Sequence, residues 1–207
     1  MLKCVVFDCD GVLVDAVSSW STLHDYFGTN SDEAFASFLR GEITDDEFMR
    51  IDIQLWKEVE PQIHRDEIFR AFKGAKLMPG ARAVISELKS RGIYVAIVSA
   101  GVDIFVASIA AMLAADDWIA NGFVFDDDGW LGDEGIARVR GSDKGLIVSR
   151  LLEMNEFSGD ESVCVGDSDI DLSMRVEGSE FIGFNPSRKR SISAFKDAEV
   201  PIVEGKD

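Results

Sequence analysis

The most constraining feature of this sequence is a regular alternation of short apolar runs with longer segments of helical spacing. Five runs are rich in β-branched and aromatic residues, namely Cys4–Phe7, Ile93–Val98, Gly122–Phe125, Ser162–Val165 and Glu180–Phe184. Between the runs, apolar residues at helical spacing predict helices over Ala81–Arg91, Val102–Ala114 and Lys144–Asn155. This alternation predicts an α/β fold in which a parallel sheet is flanked by helices on both faces.

Residues 16–77 break this alternation, because they show helical spacing and no strand pattern. One predicted helical face carries the apolar residues Val17, Trp20, Leu23 and Phe27. A second helix is predicted to begin at the capping box Thr44-Asp45-Asp46-Glu47, with its inner side formed by Phe48, Leu55 and Val59. We therefore predict a small helical cap of residues 16–77, inserted after the first strand into an α/β core formed by residues 1–15 and 78–207.

The composition narrows the classes of function. The formal net charge of −17 disfavours binding to nucleic acids and to anionic membranes, since both need basic patches. No apolar run reaches the roughly 18 residues of a membrane-spanning helix, and the N-terminal run is too short for a signal peptide. A cytoplasmic location is therefore expected. The three cysteines, without CxxC spacing, argue against a disulfide framework and a zinc site. Nothing in the sequence specifies an oligomeric state.

Ligands of open α/β sheets bind beyond the carboxyl ends of the strands, so the residues that follow each run form the candidate site. Asp8 and Asp10 follow the first run and are separated by one residue. One carboxylate can attack phosphorus, and the other can protonate the leaving oxygen. Taken alone the pair is weak evidence, because the chain has 38 acidic residues and the spacing recurs at Asp126 and Asp128, in a predicted hairpin turn.

Three further motifs occur later in the chain. Ser99, with the backbone amides of Ala100 and its neighbours, can bind phosphate oxygens, although alone it is typical of an ordinary N-cap serine. Lys144 can neutralise a phosphate, although a lone lysine is more often a surface residue. Asp167 and Asp171 can hold Mg²⁺, which prefers carboxylate oxygens and water. The alternative for these two residues is a turn of helix-capping aspartates.

The order of these motifs is more specific than any one of them. It resembles the four motifs of the haloacid dehalogenase superfamily, and the resemblance covers nearly the whole chain. The segments VSAGVD, residues 98–103, and GDSDIDLSM, residues 166–174, are similar to those of its phosphoserine phosphatase-like branch. The resemblance implies a Rossmann-like core with an inserted helical cap. Asp10 favours a phosphatase over a dehalogenase, because carbon–halogen cleavage needs no acid for the leaving group.

The resemblance also implies a role for each motif residue. The implied catalytic set consists of the nucleophile Asp8, the general acid/base Asp10, and the phosphate-binding residues Ser99, Ala100 and Lys144. The implied Mg²⁺ ligands are Asp8, Asp167 and the backbone carbonyl of Asp10, with Asp171 supporting the metal waters and Lys144. The expected function is a Mg²⁺-dependent phosphomonoesterase that acts on a small phosphorylated metabolite through an aspartyl-phosphate.

The cap departs from the phosphoserine phosphatase pattern. The amine-binding glutamate of that branch corresponds to Val17, and its carboxylate-binding arginine corresponds to Asp52. We take Trp20 and Arg50 as cap candidates, although a tryptophan on a helix is more often a core residue. We therefore expect phosphoserine to be a poor substrate. The alternatives are a phosphoserine phosphatase proper, and a phosphotransferase or mutase that uses the same aspartyl-phosphate. A non-enzymatic relic of the fold is disfavoured by the intact catalytic set.

Overall fold

The computed structural model describes residues 1–16 and 18–205. Within this part of the chain the strands are β1 (Cys4–Phe7), β2 (Tyr94–Val102), β3 (Asp117–Phe125), β4 (Leu131–Ile136), β5 (Ser162–Gly166), β6 (Glu180–Phe184) and β7 (Ile202–Val203). They form one sheet in the order β4-β3-β2-β1-β5-β6-β7. Neighbouring strands are parallel except β3 and β4. The predicted α/β sheet is confirmed, with one antiparallel edge strand contributed by the predicted hairpin.

The helices are α1 (Ser19–Phe27), α2 (Asp32–Leu39), α3 (Asp45–Val59), α4 (Arg65–Ala71), α5 (Ala81–Ser90), α6 (Asp103–Leu113), α7 (Lys144–Met154) and α8 (Lys189–Asp197). Short 3₁₀ helices span Gly141–Asp143, Gly159–Glu161 and Asp169–Met174. Alternate side chains of β1 point to opposite faces of the sheet. Val5 packs in one core cluster with residues of α5 and α6, whereas Val6 packs in a second cluster with α7 and α8. The predicted helices on both faces are therefore present.

The central position of β1 determines where the site lies. All four of its residues are buried, and it pairs in parallel with both β2 and β5. Phe7 stands opposite Ile97 on one side and Val165 on the other. The carboxyl ends of these strands consequently lie side by side. Loops from distant parts of the sequence meet at this edge of the sheet, as the topology of open α/β folds leads one to expect.

Helices α1–α4 occupy the stretch between β1 and α5, as predicted for the inserted segment. Its two connections to the sheet lie together, because Asp15 N donates to Lys76 O and Met78 N donates to Leu13 O. Trp56 on α3 is fully buried and shares a continuous apolar cluster with Phe123 on β3. The segment therefore packs on the sheet through a common core. The division into a cap of residues 16–77 and a core of residues 1–15 and 78–207 stays a prediction.

Several details of the sequence-based prediction are corrected. The capping box at Thr44 is present, but Val59 is 57% exposed, because α3 buries the face of Met49, Ile53 and Trp56 and ends at Val59. Strand β2 extends beyond Val98 to Val102, since pairing with β3 resumes there after a shift in register. The helical face expected to include Val17 falls partly outside the described residues.

Candidate active site

The loop after β1 brings Asp8 and Asp167 together. Asp8 follows the last residue of β1, its side chain is buried, and its backbone N donates to Val165 O at 2.9 Å. Gly11 has a φ of 76°, a conformation that favours glycine. A Cβ at Gly11 would lie 2.7 Å from Asp167 Cγ. A larger residue at Gly11 would therefore push the loop away from Asp167. This glycine permits the loop that begins at Asp8 to approach Asp167 closely.

Lys144 is buried beside Asp8 and Asp171 in this structure and is not a surface lysine. It is the first residue of α7 and only 2% exposed. Its Nζ lies 3.1 Å from Asp8 Oδ1 and 2.6 Å from Asp171 Oδ1. Burial alone would lower the pKa of Lys144, but the charges of Asp171 and Asp8 outweigh burial and raise the pKa above its ordinary range. The lysine therefore stays charged between the two carboxylates.

Asp171 orients Lys144. Its Oδ2 accepts hydrogen bonds from Ser168 N at 3.0 Å and Ser168 Oγ at 2.7 Å, while its Oδ1 accepts from Lys144. Both oxygens are therefore engaged within the protein. A Cβ at Gly166 would lie 2.2 Å from Asp171 Cβ, so the glycine that ends β5 makes room for this buried side chain. Asp171, for which a helix-capping role was the alternative, therefore also contacts the candidate site residue Lys144.

The carboxylates of Asp8, Asp167 and Asp171 form a cluster that suits a divalent cation. One oxygen from each lies within 4.8 Å of the others. Burial raises the pKa of Asp8 to about 7 and that of Asp167 to about 8, and the charge of Asp171 adds to both shifts. The single charge of Lys144 does not compensate the whole cluster. This donor set, all oxygen and rich in negative charge, fits Mg²⁺, and Asp8 and Asp167 have the oxygens left to coordinate it.

Asp10 is held by Ser19, a residue that the sequence analysis did not identify. Asp10 Oδ2 accepts from Ser19 N at 2.6 Å and from Ser19 Oγ at 2.7 Å, and Ser19 Oγ in turn accepts from Val102 N at 3.0 Å. The other oxygen, Asp10 Oδ1, is buried without a hydrogen-bond partner among the described residues. Burial raises the pKa of Asp10, while the hydrogen bonds from Ser19 oppose that shift. A raised pKa suits a carboxyl group that must donate a proton.

Ser99 lies inside β2, in the stretch where the pairing with β3 shifts register. It was expected after the strand, at a helix N-terminus. Ser99 is 1% exposed, and its Oγ accepts from Gly101 N at 3.1 Å. Ala100 O accepts from Trp20 Nε1 at 2.9 Å and from Asn121 Nδ2 at 3.2 Å. The irregular backbone is therefore held in place by side chains of α1 and β3. The hydrogen bond from Asn121 to Ala100 could be predicted only with the knowledge that β2 pairs with β3.

One cavity of about 390 Å³ contains these groups. The side chains of Asp8, Ser99, Lys144 and Asp167 line its inner part, and half-buried aromatic rings of α2 and α3 line it as well. Trp20 also lines the cavity, so the predicted cap candidate Trp20 lies where contact with a substrate is possible.

The second cap candidate, Arg50, does not line this cavity. Its Nε lies 3.1 Å from Glu134 Oε1 on β4, so the guanidinium pairs with an exposed carboxylate of that strand. Asp52 also does not line the cavity, because it is fully buried with Oδ1 3.1 Å from His24 Nε2. Asp52, which corresponds to the carboxylate-binding arginine of the phosphoserine phosphatase pattern, is therefore not placed to contact a substrate in this cavity. Val17 lies outside the described residues.

The comparisons with known proteins agree with this geometry. Residues 5–175 match the model of the haloacid dehalogenase-like hydrolases. The chain belongs to this family. It is 28% identical over 187 residues to the phosphoserine phosphatase of Methanocaldococcus jannaschii, covering 88% of this chain and 85% of that protein. It is 27% identical over 186 residues to the phosphoserine phosphatase of Campylobacter jejuni subsp. doylei, covering 89% of this chain and 87% of that protein.

The fold has a similar counterpart among solved structures. A phospho-aspartyl intermediate analogue of phosphoserine phosphatase superposes with a TM-score of 0.80 at 25% identity, covering 100% of this chain and 95% of that chain. The expected family, its phosphoserine phosphatase-like branch and the phosphatase class are confirmed by these similarities. Among the described residues, no helix has the length and apolar character needed to cross a membrane.

Proposed function

We propose that this haloacid dehalogenase-like hydrolase is a Mg²⁺-dependent phosphomonoesterase that forms an aspartyl-phosphate on Asp8 and acts on a small phosphorylated metabolite. The observation that carries the proposal is the buried contact of Lys144 with Asp8 and Asp171. This contact places a fixed positive charge beside the candidate nucleophile, where the phosphate would enter an acidic protein. The expected cytoplasmic location stays a prediction.

In the proposed first half-reaction, the Ser99 hydroxyl, the Ala100 backbone amide and the Lys144 ammonium bind the phosphoryl oxygens. Asp8 uses a carboxylate oxygen to attack phosphorus, and the bond from phosphorus to the alcohol oxygen breaks. Asp10 donates its proton to that leaving oxygen. Mg²⁺, held by Asp8, Asp167 and the backbone carbonyl of Asp10, would supply positive charge that offsets the carboxylates and the phosphate.

In the second half-reaction, water attacks the phosphorus of the aspartyl-phosphate. Asp10, now a carboxylate, takes a proton from this water, the bond from phosphorus to Asp8 breaks, and phosphate leaves. Asp8 returns as a carboxylate and Asp10 as an acid, so both groups are ready for another cycle. Asp171 takes no direct part in either step and acts by holding Lys144.

The reaction can be tested with the purified chain and a panel of phosphorylated metabolites in Mg²⁺. We expect release of phosphate, loss of release in excess chelator, and recovery on addition of Mg²⁺. Asp8→Asn should lower turnover by about a thousandfold or more while the fold is retained. Mass spectrometry after an acid quench should detect phosphorylated wild-type chain but not phosphorylated Asp8→Asn. Turnover near the wild-type level in folded Asp8→Asn would contradict the proposal.

The substrate and acceptor alternatives are distinguished by the same panel. The similarity to phosphoserine phosphatases favours an amino acid phosphate, but Val17 stands where the resemblance places the amine-binding glutamate. Asp52 stands where it places the carboxylate-binding arginine, and Asp52 does not line the cavity. We retain the proposal that a phosphorylated metabolite without that head group is preferred. A kcat/KM for phosphoserine at least tenfold above sugar and short-chain acid phosphates would overturn it. An isomerised product in place of free phosphate would instead indicate a mutase.

A further inference from the structure

The part of the cavity that the proposed chemistry does not use has an aromatic wall. Phe38 and Phe48 stack with ring centroids 5.3 Å apart and an interplanar angle of 14°. The Phe35 ring lies 6.0 Å from that of Phe48. All three are only partly buried and all line the cavity. Half-exposed rings in a catalytic cavity offer apolar surface to a ligand, and burying them would release water from that surface.

A positive charge stands beside this wall. Arg188, which precedes α8, lines the same cavity, and its guanidinium carbon lies 6.0 Å from the centroid of the Phe35 ring. Among the described residues that line the cavity, Lys144 and Arg188 are the two with a fixed positive charge. Lys144 is engaged by Asp8 and Asp171. Arg188, by contrast, has no carboxylate of the described residues within ion-pair distance, although Arg190 nearby pairs with Asp169 at 2.7 Å.

The backbone that carries Arg188 is fixed by a short network. Asn185 has a φ of 43°, which asparagine tolerates better than most residues. Its backbone N donates to Val203 O at 2.9 Å. Its side-chain Oδ1 accepts from Gly205 N at 2.8 Å, and its Nδ2 donates to Gly205 O at 2.7 Å. Pro186 is buried, and Ile192 N donates to Arg188 O at 3.1 Å. The backbone of Arg188 is therefore held beside the cavity, while the residue itself remains exposed.

Acidic residues near the rings do not make this a cation site. Asp32 precedes Phe35 on α2, but its Oδ2 accepts from Asn30 Nδ2 at 2.9 Å. Asp45 precedes Phe48 on α3, and burial raises its pKa while backbone amides and the charge of Arg140 oppose that shift. Both carboxylates thus have partners within the protein. The guanidinium of Arg188 is the charge in this part of the cavity that has donors left for a ligand.

We propose that the substrate is a phosphate ester whose alcohol portion has an apolar segment and a second anionic group, and that Arg188 binds this anionic group. The proposal rests on the proposed phosphatase function. A guanidinium can bind a carboxylate or a further phosphate through two parallel hydrogen bonds. The rings of Phe35, Phe38 and Phe48 would cover the apolar segment between the two anionic ends. Arg188 is a specificity-determining residue in this proposal and takes no part in the bond-breaking steps.

The test uses matched pairs of substrates that differ only in the distant charge. One pair is phenethyl phosphate and its para-carboxy derivative, and a para-phosphono derivative distinguishes a preference for a second phosphate. A second pair without a ring, butyl phosphate and the corresponding phosphorylated hydroxybutyrate, measures the contribution of the aromatic wall. We measure kcat/KM for the wild type, Arg188→Ala, Arg188→Lys and the control Lys189→Ala, all on the full chain with Mg²⁺.

We expect the wild type to prefer the charged member of each pair by about tenfold or more, as is typical of a charge-assisted contact. Arg188→Ala should abolish that preference and leave the uncharged esters within about twofold. Arg188→Lys should retain part of the preference, because lysine keeps the charge and loses the bidentate geometry. Lys189→Ala should match the wild type, since Lys189 is exposed and does not line the cavity.

The failure of this inference can be separated from the failure of the proposed function. If the wild type releases phosphate neither from these esters nor from the panel of phosphorylated metabolites, the phosphatase proposal itself fails. If it releases phosphate from the panel but from none of these esters, the inference is overturned and the phosphatase proposal stands. If it hydrolyses these esters but Arg188→Ala changes kcat/KM equally for charged and uncharged esters, Arg188 does not bind the second anionic group and the inference is overturned. A wild-type preference for the uncharged member of each pair would overturn it as well.

Discussion

The inner part of the cavity and the helical segment beside it are built in different ways. At the inner part, the polar residues Asp8, Ser99, Lys144 and Asp171 are almost fully buried. Their side chains form hydrogen bonds with backbone groups or with one another. In the helical segment, the rings of Phe35 and Phe48 are partly exposed. The first region is suited to fixed charges that stabilise one reaction. The second presents adaptable apolar surface, which is suited to selecting the alcohol portion of a substrate.

The difference implies that substitutions in the two regions affect different quantities. Loss of a buried charge should impair turnover of every ester and should also change stability. Substitution at the aromatic wall or at Arg188 should change which ester is preferred. The following substitutions test this division, from the largest expected effect to the smallest.

Lys144→Met should have the largest effect, because it removes the positive charge between Asp8 and Asp171. We expect turnover of all esters to fall by at least about a hundredfold. We also expect the free energy of unfolding to fall by about 3 kcal/mol, since an uncompensated buried charge is strongly unfavourable. Urea unfolding in chelator measures the second effect. The matched control Lys189→Met removes an exposed lysine. Unchanged stability of Lys144→Met would contradict the buried ion pairs.

Ser19→Ala tests whether α1 acts on the chemistry through Asp10. We expect turnover of alkyl phosphates to fall by about tenfold, and turnover of aryl phosphates with good leaving groups to change little, because only poor leaving groups need a proton. A double-mutant cycle with Asp10→Asn supplies the control. If Ser19 acts through Asp10, the double variant should be no worse than Asp10→Asn alone. Additive losses would show that Ser19 contributes by another route.

The pH dependence of stability tests the carboxylate cluster. Burial raises the pKa of Asp167 to about 8, well above the value in an unfolded chain, so the folded state binds more protons between the two pKa values. Stability therefore falls as pH rises through this window. In chelator, Asp167→Asn should be more stable than the wild type at pH about 8.5, and the gain should shrink as the pH falls toward about 6. A gain that grows on acidification would contradict the assigned shift.

Most of the residues that meet in the candidate site could be predicted from the sequence, because they lie in short local motifs. Asp8, Ser99 and Asp167 each belong to a short motif near the carboxyl end of a parallel strand, and parallel pairing brings such ends together. Lys144 differs, because it is the first residue of α7. The alternation of strands and helices was sufficient to order these motifs. The exact end of β2 was not predictable, because the register shift near Ser99 depends on contacts with Trp20 and Asn121.

The helical segment is predicted less well because its contacts are long-range. The pairs His24–Asp52 and Arg50–Glu134 join residues 28 and 84 positions apart, and no local pattern specifies them. Ser19 and Arg188 were not predicted as candidate residues for the same reason. Ser19 resembles any serine at the start of a helix, and Arg188 any exposed residue before one. Only the folded chain reveals that one bonds Asp10 and the other lines the cavity.

Arg50→Ala should have the smallest effect and therefore limits the region that selects the substrate. Arg50 was a candidate for contact with the substrate, but its side chain is 43% exposed and pairs with Glu134, whose side chain is 57% exposed. Exposed ion pairs contribute roughly 0–1 kcal/mol, so the variant should unfold within about 1 kcal/mol of the wild type. We expect kcat/KM to stay within about twofold for both charged and uncharged esters, whereas Arg188→Ala separates them. A selective loss on carboxylated esters in Arg50→Ala would show that Arg50 leaves Glu134 and turns into the cavity when substrate binds. Measuring the same esters in Glu134→Gln provides the control, because freeing Arg50 should then strengthen binding of the carboxylated esters.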